Sequence, residues 1–242
     1  MKLAIITGGS RGLGAALVKT YCEQGHKVIS IARSKSSYEH DNLLAQIDFD
    51  LSRIDQFEIL EGRIFYHLKT LELEEVLLIN NAAILGELKN IQDCQSWNIN
   101  DAMKINVNAP LLLISMIIRR LINKNVMIKI FNISSGLGIY PMAGSTIYCT
   151  TKAGIEMMTK SIALEQANNH RFKILSIGPG IIDTDMQVEI RQTKKEDLAD
   201  VDKFVEFKEQ NLLVKPIDVA KKLWTLYAED SYKSGESVSL RS

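Results

Sequence analysis

The sequence predicts an α/β fold, a doubly wound parallel sheet with helices on both faces, within a single domain. Apolar runs of strand length recur along the chain of 242 residues, and amphipathic segments of helical length separate them. The runs are nearly continuous in Ile, Val and Leu, which is typical of parallel strands buried on both faces. Alternating strands and helices favour right-handed crossovers in one sheet, and a chain of this length suits one such domain.

Six apolar runs are the predicted strands, and we expect about seven strands in all. The runs span residues 3–7, 28–32, 45–49, 76–80, 127–134 and 173–177. Helical patterns occupy residues 13–24, 52–69, 96–123 and 146–167, with a last helix near 217–229. Ser52, followed by Asp55 three residues later, resembles a capping arrangement and is expected to start the second helix.

Two stretches interrupt this alternation. Residues 33–41 are polar and rich in serine, which predicts a loop after the second strand. Residues 183–215 are charged and only weakly periodic, and a segment of that length inside a compact domain is usually a lid or a binding loop. We therefore expect a substrate loop at about 183–215, in which the charged run 194–197 forms the solvent-facing side of a helix.

The composition excludes several classes of partner. Lys plus Arg number 29 and Asp plus Glu number 29, so no net field draws the chain to nucleic acid or to an anionic membrane. The longest apolar run, 109–118, contains a proline and a serine and is followed by two arginines, so we expect no membrane span. The first residues do not form a secretory signal pattern, and we expect a cytoplasmic protein.

The cysteines and histidines predict neither a disulfide framework nor a metal site. Cys22, Cys94 and Cys149 are odd in number and widely separated, which suits reduced thiols. The four histidines are isolated, and none lies at ligand spacing from a cysteine or from another histidine. We therefore expect no bound metal.

A glycine-rich turn joins the first predicted strand to the first predicted helix. It reads Thr7-Gly8-Gly9-Ser10-Arg11-Gly12-Leu13-Gly14. Its spacing differs from the usual dinucleotide fingerprint, but glycines allow a tight turn, close approach of a pyrophosphate and close packing of helix on strand. The N-terminus of the helix then offers N–H groups to the phosphates. The turn predicts a dinucleotide site; the alternative is a tight turn without a ligand.

Two arginines indicate which dinucleotide the site prefers. A site for NAD usually has an acidic residue at the end of the second strand, where it accepts a hydrogen bond from the ribose. Here that strand ends in Arg33, and Arg11 lies in the glycine turn. Each charge-assisted hydrogen bond to a 2′-phosphate contributes about 1.5–3 kcal/mol. We therefore expect NADP(H); the alternative is two solvated surface arginines.

Tyr148 and Lys152 stand four residues apart in a predicted helix and so share one face. A phenol has an ordinary pKa of about 10, and an ammonium one turn away is expected to lower that pKa toward the operating range. Ser135 ends the fifth strand region, and residues 80–83 end the fourth with small polar side chains. Doubly wound folds bind their ligands at this edge of the sheet. A lone pair at this spacing is common by chance and would be structural; together with the residues at the strand ends it predicts an acid–base site in which the phenol can donate a proton.

These motifs resemble the short-chain dehydrogenase/reductase family over essentially the whole chain. The resemblance rests on matches to the family's order and spacing: Thr7-Gly8-x-x-x-Gly12-x-Gly14, Asn80-Asn81-Ala82, Asn106, Ser135, Tyr148-x-x-x-Lys152 and Pro179-Gly180-x-x-x-Thr184. Residues 178–187 and 233–235 are similar to sepiapterin reductases and to bacterial benzil reductases. The resemblance implies a Rossmann-like fold and an NADPH-dependent carbonyl reductase that transfers hydride to a ketone or a 1,2-diketone.

The resemblance also implies roles for four catalytic residues. Tyr148 would protonate the carbonyl oxygen, and Ser135 would hydrogen-bond that oxygen and polarise it. Lys152 would hold the nicotinamide ribose and lower the pKa of Tyr148. Asn106 would order water for a proton relay to Lys152. Without the family pattern, Asn106 is simply a polar residue in a helix.

Cofactor and substrate positions follow from the same resemblance. Asp50 would lie near the adenine, and Ile182 and Thr184 near the carboxamide. The full cofactor set is Gly8, Ser10, Arg11, Gly12, Leu13, Gly14, Arg33, Asp50, Leu51, Asn81, Ala82, Tyr148, Lys152, Pro179, Gly180, Ile182 and Thr184. The substrate set is Ser135, Tyr140, Met142, Tyr148 and Met186.

One departure from the family bears on the substrate. Sepiapterin reductases carry an aspartate near the C-terminus that anchors the pterin, and the matching position here is Ser239. A neutral hydroxyl does not supply that charge-assisted bond, which favours a neutral, apolar diketone or ketone. By analogy with the family we expect a homodimer or homotetramer formed through the helices near 96–123 and 146–167.

Two other functions remain open from the sequence alone. The fold also suits a non-catalytic NADP(H)-binding sensor or regulator, because a fold does not fix a function. The complete set of Ser135, Tyr148 and Lys152 argues against this, since a sensor needs no proton donor. The same residues would also serve an NAD-dependent alcohol dehydrogenase that runs the reaction as an oxidation.

Overall fold

The computed structural model describes residues 1–40, 42–69 and 71–241 and forms one seven-stranded parallel sheet. The strand order is 3-2-1-4-5-6-7, which confirms the doubly wound prediction. The strands are Lys2–Thr7 (β1), Lys27–Ala32 (β2), Leu44–Asp48 (β3), Glu75–Asn80 (β4), Met127–Ile133 (β5), Phe172–Gly178 (β6) and Ser237–Ser239 (β7). Because β1 pairs with both β2 and β4, the chain changes direction across the sheet there, and the crevice at its carboxyl edge is the expected ligand site.

Helices cover both faces of the sheet. They are Gly12–Glu23 (α1), Phe57–Leu68 (α2), Ser96–Met103 (α3), Ala109–Leu121 (α4), Thr146–Glu165 (α5), Asp185–Gln192 (α6), Val201–Glu209 (α7) and Pro216–Glu229 (α8). One apolar core joins the sheet to α2, α4 and α5, and a second joins the opposite face to α1 and α8. The domain is therefore a sheet between two helical layers, as the continuous apolar strands predict.

The six predicted strands agree with the structure to within one residue at each end, and β7 is the strand that no apolar run marked. It has only three residues, and its register on β6 pairs Ser176 with Ser237 and Ile177 with Val238. A strand this short carries no measurable periodicity, so the sequence pattern could not locate it.

The predicted capping of the second helix by Ser52 and Asp55 is wrong. A turn of 3-10 helix at Ile54–Gln56 comes first, and α2 begins at Phe57 without a side-chain cap. The backbone N–H of Ser52 instead donates to Asp50 Oδ1 at 2.9 Å. Aspartate favours such local turns over helix, and this one ends β3 before the helix can begin.

The predicted substrate loop contains α6 and α7, and the run 194–197 is a turn between these two helices rather than a helix. The turn forms because Asp197 and Leu198 both donate their backbone N–H groups to the carbonyl of Lys194. Its lysines are exposed, as expected. Residues 33–40 form the predicted loop, and Asp41 lies outside the described residues.

The predicted helix 96–123 is continuous from Ser96 to Leu121 but changes pitch in the middle. Residues Lys104–Asn108 form a turn of π-helix between α3 and α4. The 26-residue helix is long and apolar enough, by length and composition, to cross a membrane, and an 18-residue stretch of it has a mean hydropathy of 1.3. The side chains of Leu113 and Ile117 are fully buried against the sheet, so the apolar face of the helix packs in the domain core.

Candidate active site

The glycine turn after β1 adopts a backbone that needs glycine. Gly8 and Gly12 have φ angles of +71° and +54°, which L side chains rarely adopt. A Cβ on Gly14 would lie 1.9 Å from the carbonyl oxygen of Gly8, so a side chain there would break the turn. The α1 helix begins at Gly12 without a side-chain cap, which leaves its first N–H groups free to meet an anion.

Thr7 ties the glycine turn to the end of β4. Its hydroxyl oxygen accepts hydrogen bonds from the backbone N–H groups of Asn81 at 2.9 Å and Ala82 at 3.0 Å. In return, the Asn81 amide donates to the carbonyl of Thr7 at 2.9 Å. A Cβ on Gly8 would touch the same Asn81 amide and the Ala82 backbone. The structure thus brings Gly8, Asn81 and Ala82 together as predicted.

Thr7 and Gly9 belong to the glycine-rich turn, but the sequence predicted no role for either residue. A Cβ on Gly9 would lie 2.2 Å from the hydroxyl of Ser30 in β2, so Gly9 lets the turn cross the sheet edge. The adjacent glycines at 8 and 9 were the available signal. Thr7 gave no signal, because its partners lie more than seventy residues away in the chain.

Tyr148 and Lys152 lie in the first two turns of α5, and both are buried. The Lys152 ammonium donates to the carbonyl of Ile133 at 2.7 Å and stands 5.4 Å from the centre of the Tyr148 ring. Ser135 follows β5; its hydroxyl oxygen accepts from the backbone N–H of Leu137 at 3.2 Å, and its O–H is directed at the Tyr148 phenol. The structure therefore brings the three predicted catalytic residues to one place at the carboxyl edge of the sheet.

The electrostatics of this pair differ from the sequence-based prediction. Burial raises the pKa of Tyr148 above its ordinary value; Cys149 adds to this effect, and a hydrogen bond with Ser135 opposes it. Burial also lowers the pKa of Lys152 to about 8, against the opposing charge of Glu156. The prediction of a pKa lowered toward the operating range is thus wrong for Tyr148 in this arrangement, because burial, the largest effect on this phenol, disfavours its charged form. Because its pKa is raised, Tyr148 is a neutral phenol at neutral pH.

Asn106 lies in the π-helical turn and joins two parts of the site. Its side-chain oxygen accepts from the backbone N–H of Ile84 at 2.9 Å, and its amide donates to the Ile84 carbonyl at 2.8 Å and to the Thr151 hydroxyl at 3.1 Å. These bonds fix the segment after β4 against α5, next to Lys152. The structure gives Asn106 this positioning role, and the water relay stays a prediction.

The residues predicted for the adenine end lie after β2 and β3. Arg33 is exposed in the loop that begins after β2. The Asp50 carboxylate accepts from the backbone of Ser52, and Leu51 is buried in the core. Asp50 therefore holds a turn, which is the structural role that its sequence context alone suggested.

Arg11 reaches toward the substrate loop. Its guanidinium pairs with Asp185 of α6 at 2.9 Å, and both side chains are more than 70 % exposed. Gly12 faces Thr184, because a Cβ on Gly12 would lie 3.3 Å from the methyl carbon of Thr184. The glycine turn and the segment after β6 therefore adjoin. An exposed ion pair of this kind contributes only about 0–1 kcal/mol, so another anion can replace Asp185.

The segment after β6 is held at both ends. Gly180 has a φ of +83°, which turns the chain away from the sheet after Pro179. Ile182 forms an isolated parallel bridge with Val214, the residue that leads back into α8. Ile182 and Thr184 therefore lie where the substrate loop leaves the domain, and Val214, the bridge partner of Ile182, lies where the loop returns.

A third apolar cluster surrounds Tyr148. Its members come from the segment after β4 and from the substrate loop: Leu85, Leu88, Tyr148, Ile190, Leu198 and Val201, with Leu137, Met142, Met186 and Phe204 packed against them. The Tyr148 hydroxyl donates to the Met186 sulfur at 3.9 Å. Met142 and Met186 thus lie beside the predicted acid. Tyr140 is 70 % exposed and lies outside this cluster.

Within the described parts of the chain, no three His, Cys, Asp or Glu side chains gather as a metal site. The three cysteines are free thiols, and Cys149, beside Tyr148, is half-buried.

Comparison with known proteins assigns the family. A model of the short chain dehydrogenase family matches residues 2–195, most of the chain. The chain belongs to this family. Among the members of the family, this chain is 33% identical over 247 residues to the benzil reductase ((S)-benzoin forming) of Bacillus cereus, with 99% of each chain covered. It is 30% identical to the enzyme of the same name from Bacillus subtilis (strain 168), with 93% of each covered.

A more distant relative of this dehydrogenase is the sepiapterin reductase of Xenopus tropicalis, at 25% identity over 98% of this chain and 95% of the relative. Solved structures share its fold. A short chain dehydrogenase/reductase from Saccharomyces cerevisiae superposes with a TM-score of 0.84 at 20% identity, covering 99% of this chain and 96% of that one. Membership of the family makes the chain an oxidoreductase.

Proposed function

We propose that this protein is an NADPH-dependent carbonyl reductase with Tyr148 as its proton donor. The observation that carries the proposal is a buried phenol and a buried ammonium one helical turn apart, beside a serine hydroxyl at the carboxyl edge of the sheet. A buried phenol with a raised pKa retains its proton until an oxygen that gains negative charge takes it.

The chain's own residues fit a nicotinamide dinucleotide. Gly8 and Gly12 have the positive φ angles that shape the turn, and α1 begins at Gly12 without a side-chain cap, which leaves N–H groups for a pyrophosphate. Gly8, Gly12, Gly14 and the free end of α1 would hold the pyrophosphate, and Asn81, Ala82 and Lys152 the nicotinamide half. When bound, the cofactor supplies the hydride. Ser10, Leu13, Leu51, Pro179, Gly180, Ile182 and Thr184 complete the proposed contacts.

The phosphorylated form of the cofactor is favoured by the charges near the adenine end. β2 ends at Ala32 and is followed by the exposed Arg33, so that position carries no carboxylate to accept from a ribose hydroxyl. Arg11 is the second cation, and its exposed bond to Asp185 is weak enough to exchange for a 2′-phosphate. Asp50 is proposed near the adenine on the same edge of the sheet.

The residues of the site divide the chemical work. Ser135 donates to the substrate carbonyl oxygen and polarises it, while Tyr148 gives that oxygen its proton. Lys152 stabilises the phenolate that this transfer leaves, and burial strengthens the attraction because little water screens it. Met186 must yield its contact with the Tyr148 hydroxyl to the incoming oxygen, which is easy because a thioether is a weak acceptor.

The apolar walls of the site favour a neutral substrate. Met142 and Met186 pack beside Tyr148, and Tyr140 lies at the exposed rim. Ser239 in β7 supplies a neutral hydroxyl where a pterin would need a carboxylate. The likeness to benzil reductases over almost the whole chain supports a 1,2-diketone or ketone as the substrate.

We further propose a cytoplasmic homodimer or homotetramer with no nucleic-acid or membrane partner. The exposed apolar side chains of Leu111 and Leu112 on α4 and of Met157 and Leu164 on α5 support an interface through these two helices. The mass of the purified protein in solution tests this directly, since a monomer would contradict it.

Turnover tests the proposed function. The purified protein is mixed with NADPH or NADH and with a panel of diketones, ketones and sepiapterin, and the loss of reduced nicotinamide is followed by absorbance. We expect the fastest turnover with NADPH and benzil. Tight NADPH binding without turnover of any substrate would favour a sensor, and faster alcohol oxidation with NAD would favour the dehydrogenase direction.

A further inference from the structure

Glu156 is a buried carboxylate on α5 that the proposed reaction does not use. It lies one helical turn beyond Lys152, on the same face of the helix. A single carboxylate oxygen accepts hydrogen bonds from two hydroxyls, from Ser176 of β6 at 2.6 Å and from Ser237 of β7. Burying a charge without such partners costs free energy, and the two serine hydroxyls from β6 and β7 offset that cost for this carboxylate.

The packing fixes Glu156 relative to Lys152. A Cβ on Gly138 would lie 2.9 Å from the Lys152 carbonyl oxygen and 3.2 Å from Cγ of Glu156, so the chain after β5 passes tightly across both residues. The Lys152 ammonium is itself held by the Ile133 carbonyl. The carboxylate and the ammonium are therefore both anchored, and their separation is set by the helix.

We propose that Glu156 is the positioning residue for Lys152: its buried carboxylate, held by Ser176 and Ser237, keeps the catalytic ammonium charged. The importance of Lys152 rests on the proposed function, but the effect of one charge on the other does not. The arrangement also makes β7 part of the active site, since Ser237 begins that strand and reaches the catalytic helix through Glu156.

The electrostatic surroundings of Lys152 support this role. The groups that face it are the Tyr148 phenol and Glu156 from its own helix and the Ile133 carbonyl from β5. Of these, Glu156 carries the negative charge. Burial lowers the pKa of Lys152, and Glu156 is the group that opposes this fall. Without it the ammonium would lose its proton closer to neutral pH.

The direct test is the titration of Lys152 in protein labelled with ¹³C at lysine Cε. The Lys152 resonance is the one missing from the spectrum of the Lys152→Arg variant, and its titration midpoint should be lower than those of exposed lysines. We expect Glu156→Gln to lower that midpoint by about one pH unit, since a unit charge is removed nearby. Glu156→Asp keeps the charge and should restore most of the shift. Glu165→Gln, an exposed carboxylate on the same helix, is the control and should leave the midpoint unchanged.

A second variant guards against a failure of Glu156→Gln to fold. Glu156→Met removes the charge at similar volume, and one of the two serines can then donate to the other, because their hydroxyl oxygens lie 2.9 Å apart. It should lower the midpoint as Glu156→Gln does. A midpoint equal to wild type in either folded variant would overturn the proposal.

Turnover gives the matching functional readout. Compared with wild type, the alkaline limb of the pH profile of carbonyl reduction should lie at lower pH in Glu156→Gln. The shift should equal that of the lysine midpoint, and kcat should be affected more than KM. If wild type reduces no carbonyl substrate, the proposed function fails, while the lysine titration still decides the role of Glu156.

Discussion

The ammonium of Lys152 donates a 2.7 Å hydrogen bond to the carbonyl oxygen of Ile133, the last residue of β5. Ser135 follows only two residues later, so one short piece of main chain positions both the lysine and the serine of the site. This bond also orients the lysine beneath the Tyr148 ring. The geometry of the proposed reaction therefore depends on where β5 ends.

The first prediction concerns the pH dependence of the reaction. Burial lowers the pKa of Lys152 to about 8, so the residue is charged below that pH and loses its proton above it. Because the charged form stabilises the phenolate, kcat/KM for reduction should fall as the pH rises through about 8. Lys152→Arg keeps its charge at all working pH values and should lose this limb, although its activity will be lower. A wild-type rate that stays level well above pH 8 would contradict the assignment.

The second prediction concerns Arg33. Replacing Arg33 by Ala should weaken NADPH binding about 10- to 100-fold, because a charge-assisted hydrogen bond to the 2′-phosphate is lost. NADH binding should change little. Titration by fluorescence measures both, and Arg171→Ala, a change just before β6 at the opposite edge of the sheet, serves as the control. Equal losses for the two cofactors would remove Arg33 from the phosphate site.

The third prediction concerns the competition for Arg11. Asp185→Asn removes the anion that now pairs with Arg11, so NADPH should bind a few-fold more tightly while NADH is unaffected. Arg11→Ala should cancel this gain in the double variant, since both changes act through one guanidinium. A gain that persists in the double variant would mean that Asp185 acts on the cofactor by another route.

The fourth prediction concerns Thr7. Thr7→Val removes the acceptor of two backbone N–H groups at the end of β4 and should lower the free energy of unfolding by about 1–3 kcal/mol. Thr7→Ser keeps the hydroxyl and should recover most of this loss. Denaturant unfolding measures the stability. A Val variant as stable as wild type would show that these hydrogen bonds matter little.

The sequence predicted the parts of this molecule that local patterns encode. The continuous apolar runs predicted the strands of the sheet. The glycines predicted the tight turn after β1, in which Gly8 and Gly12 have positive φ angles. Tyr148 and Lys152 were predicted from their helix spacing of four together with the family motifs around them. Ser135 was found because it follows a clear strand.

Other features depend on contacts that no local pattern records. Arg11 meets Asp185 across 174 positions of sequence, and Glu156 meets Ser237 across 81. The helices α6 and α7 have few apolar residues, and charged residues surround them in the sequence. The pattern therefore predicted a loop, where the structure has two helices that pack in the apolar cluster around Tyr148. The pKa of Tyr148 is raised where the sequence predicted a lowered one, because sequence spacing does not report the burial of the phenol.

Replacement of Tyr148 by Phe tests the central claim most directly. The variant keeps the ring in its apolar cluster and removes only the proton that the account assigns to the carbonyl oxygen. Single-turnover reduction of benzil by enzyme saturated with NADPH should become undetectable, while the NADPH dissociation constant stays close to that of wild type. If wild type reduces benzil and the Phe variant retains a tenth of that rate, Tyr148 is not the proton donor.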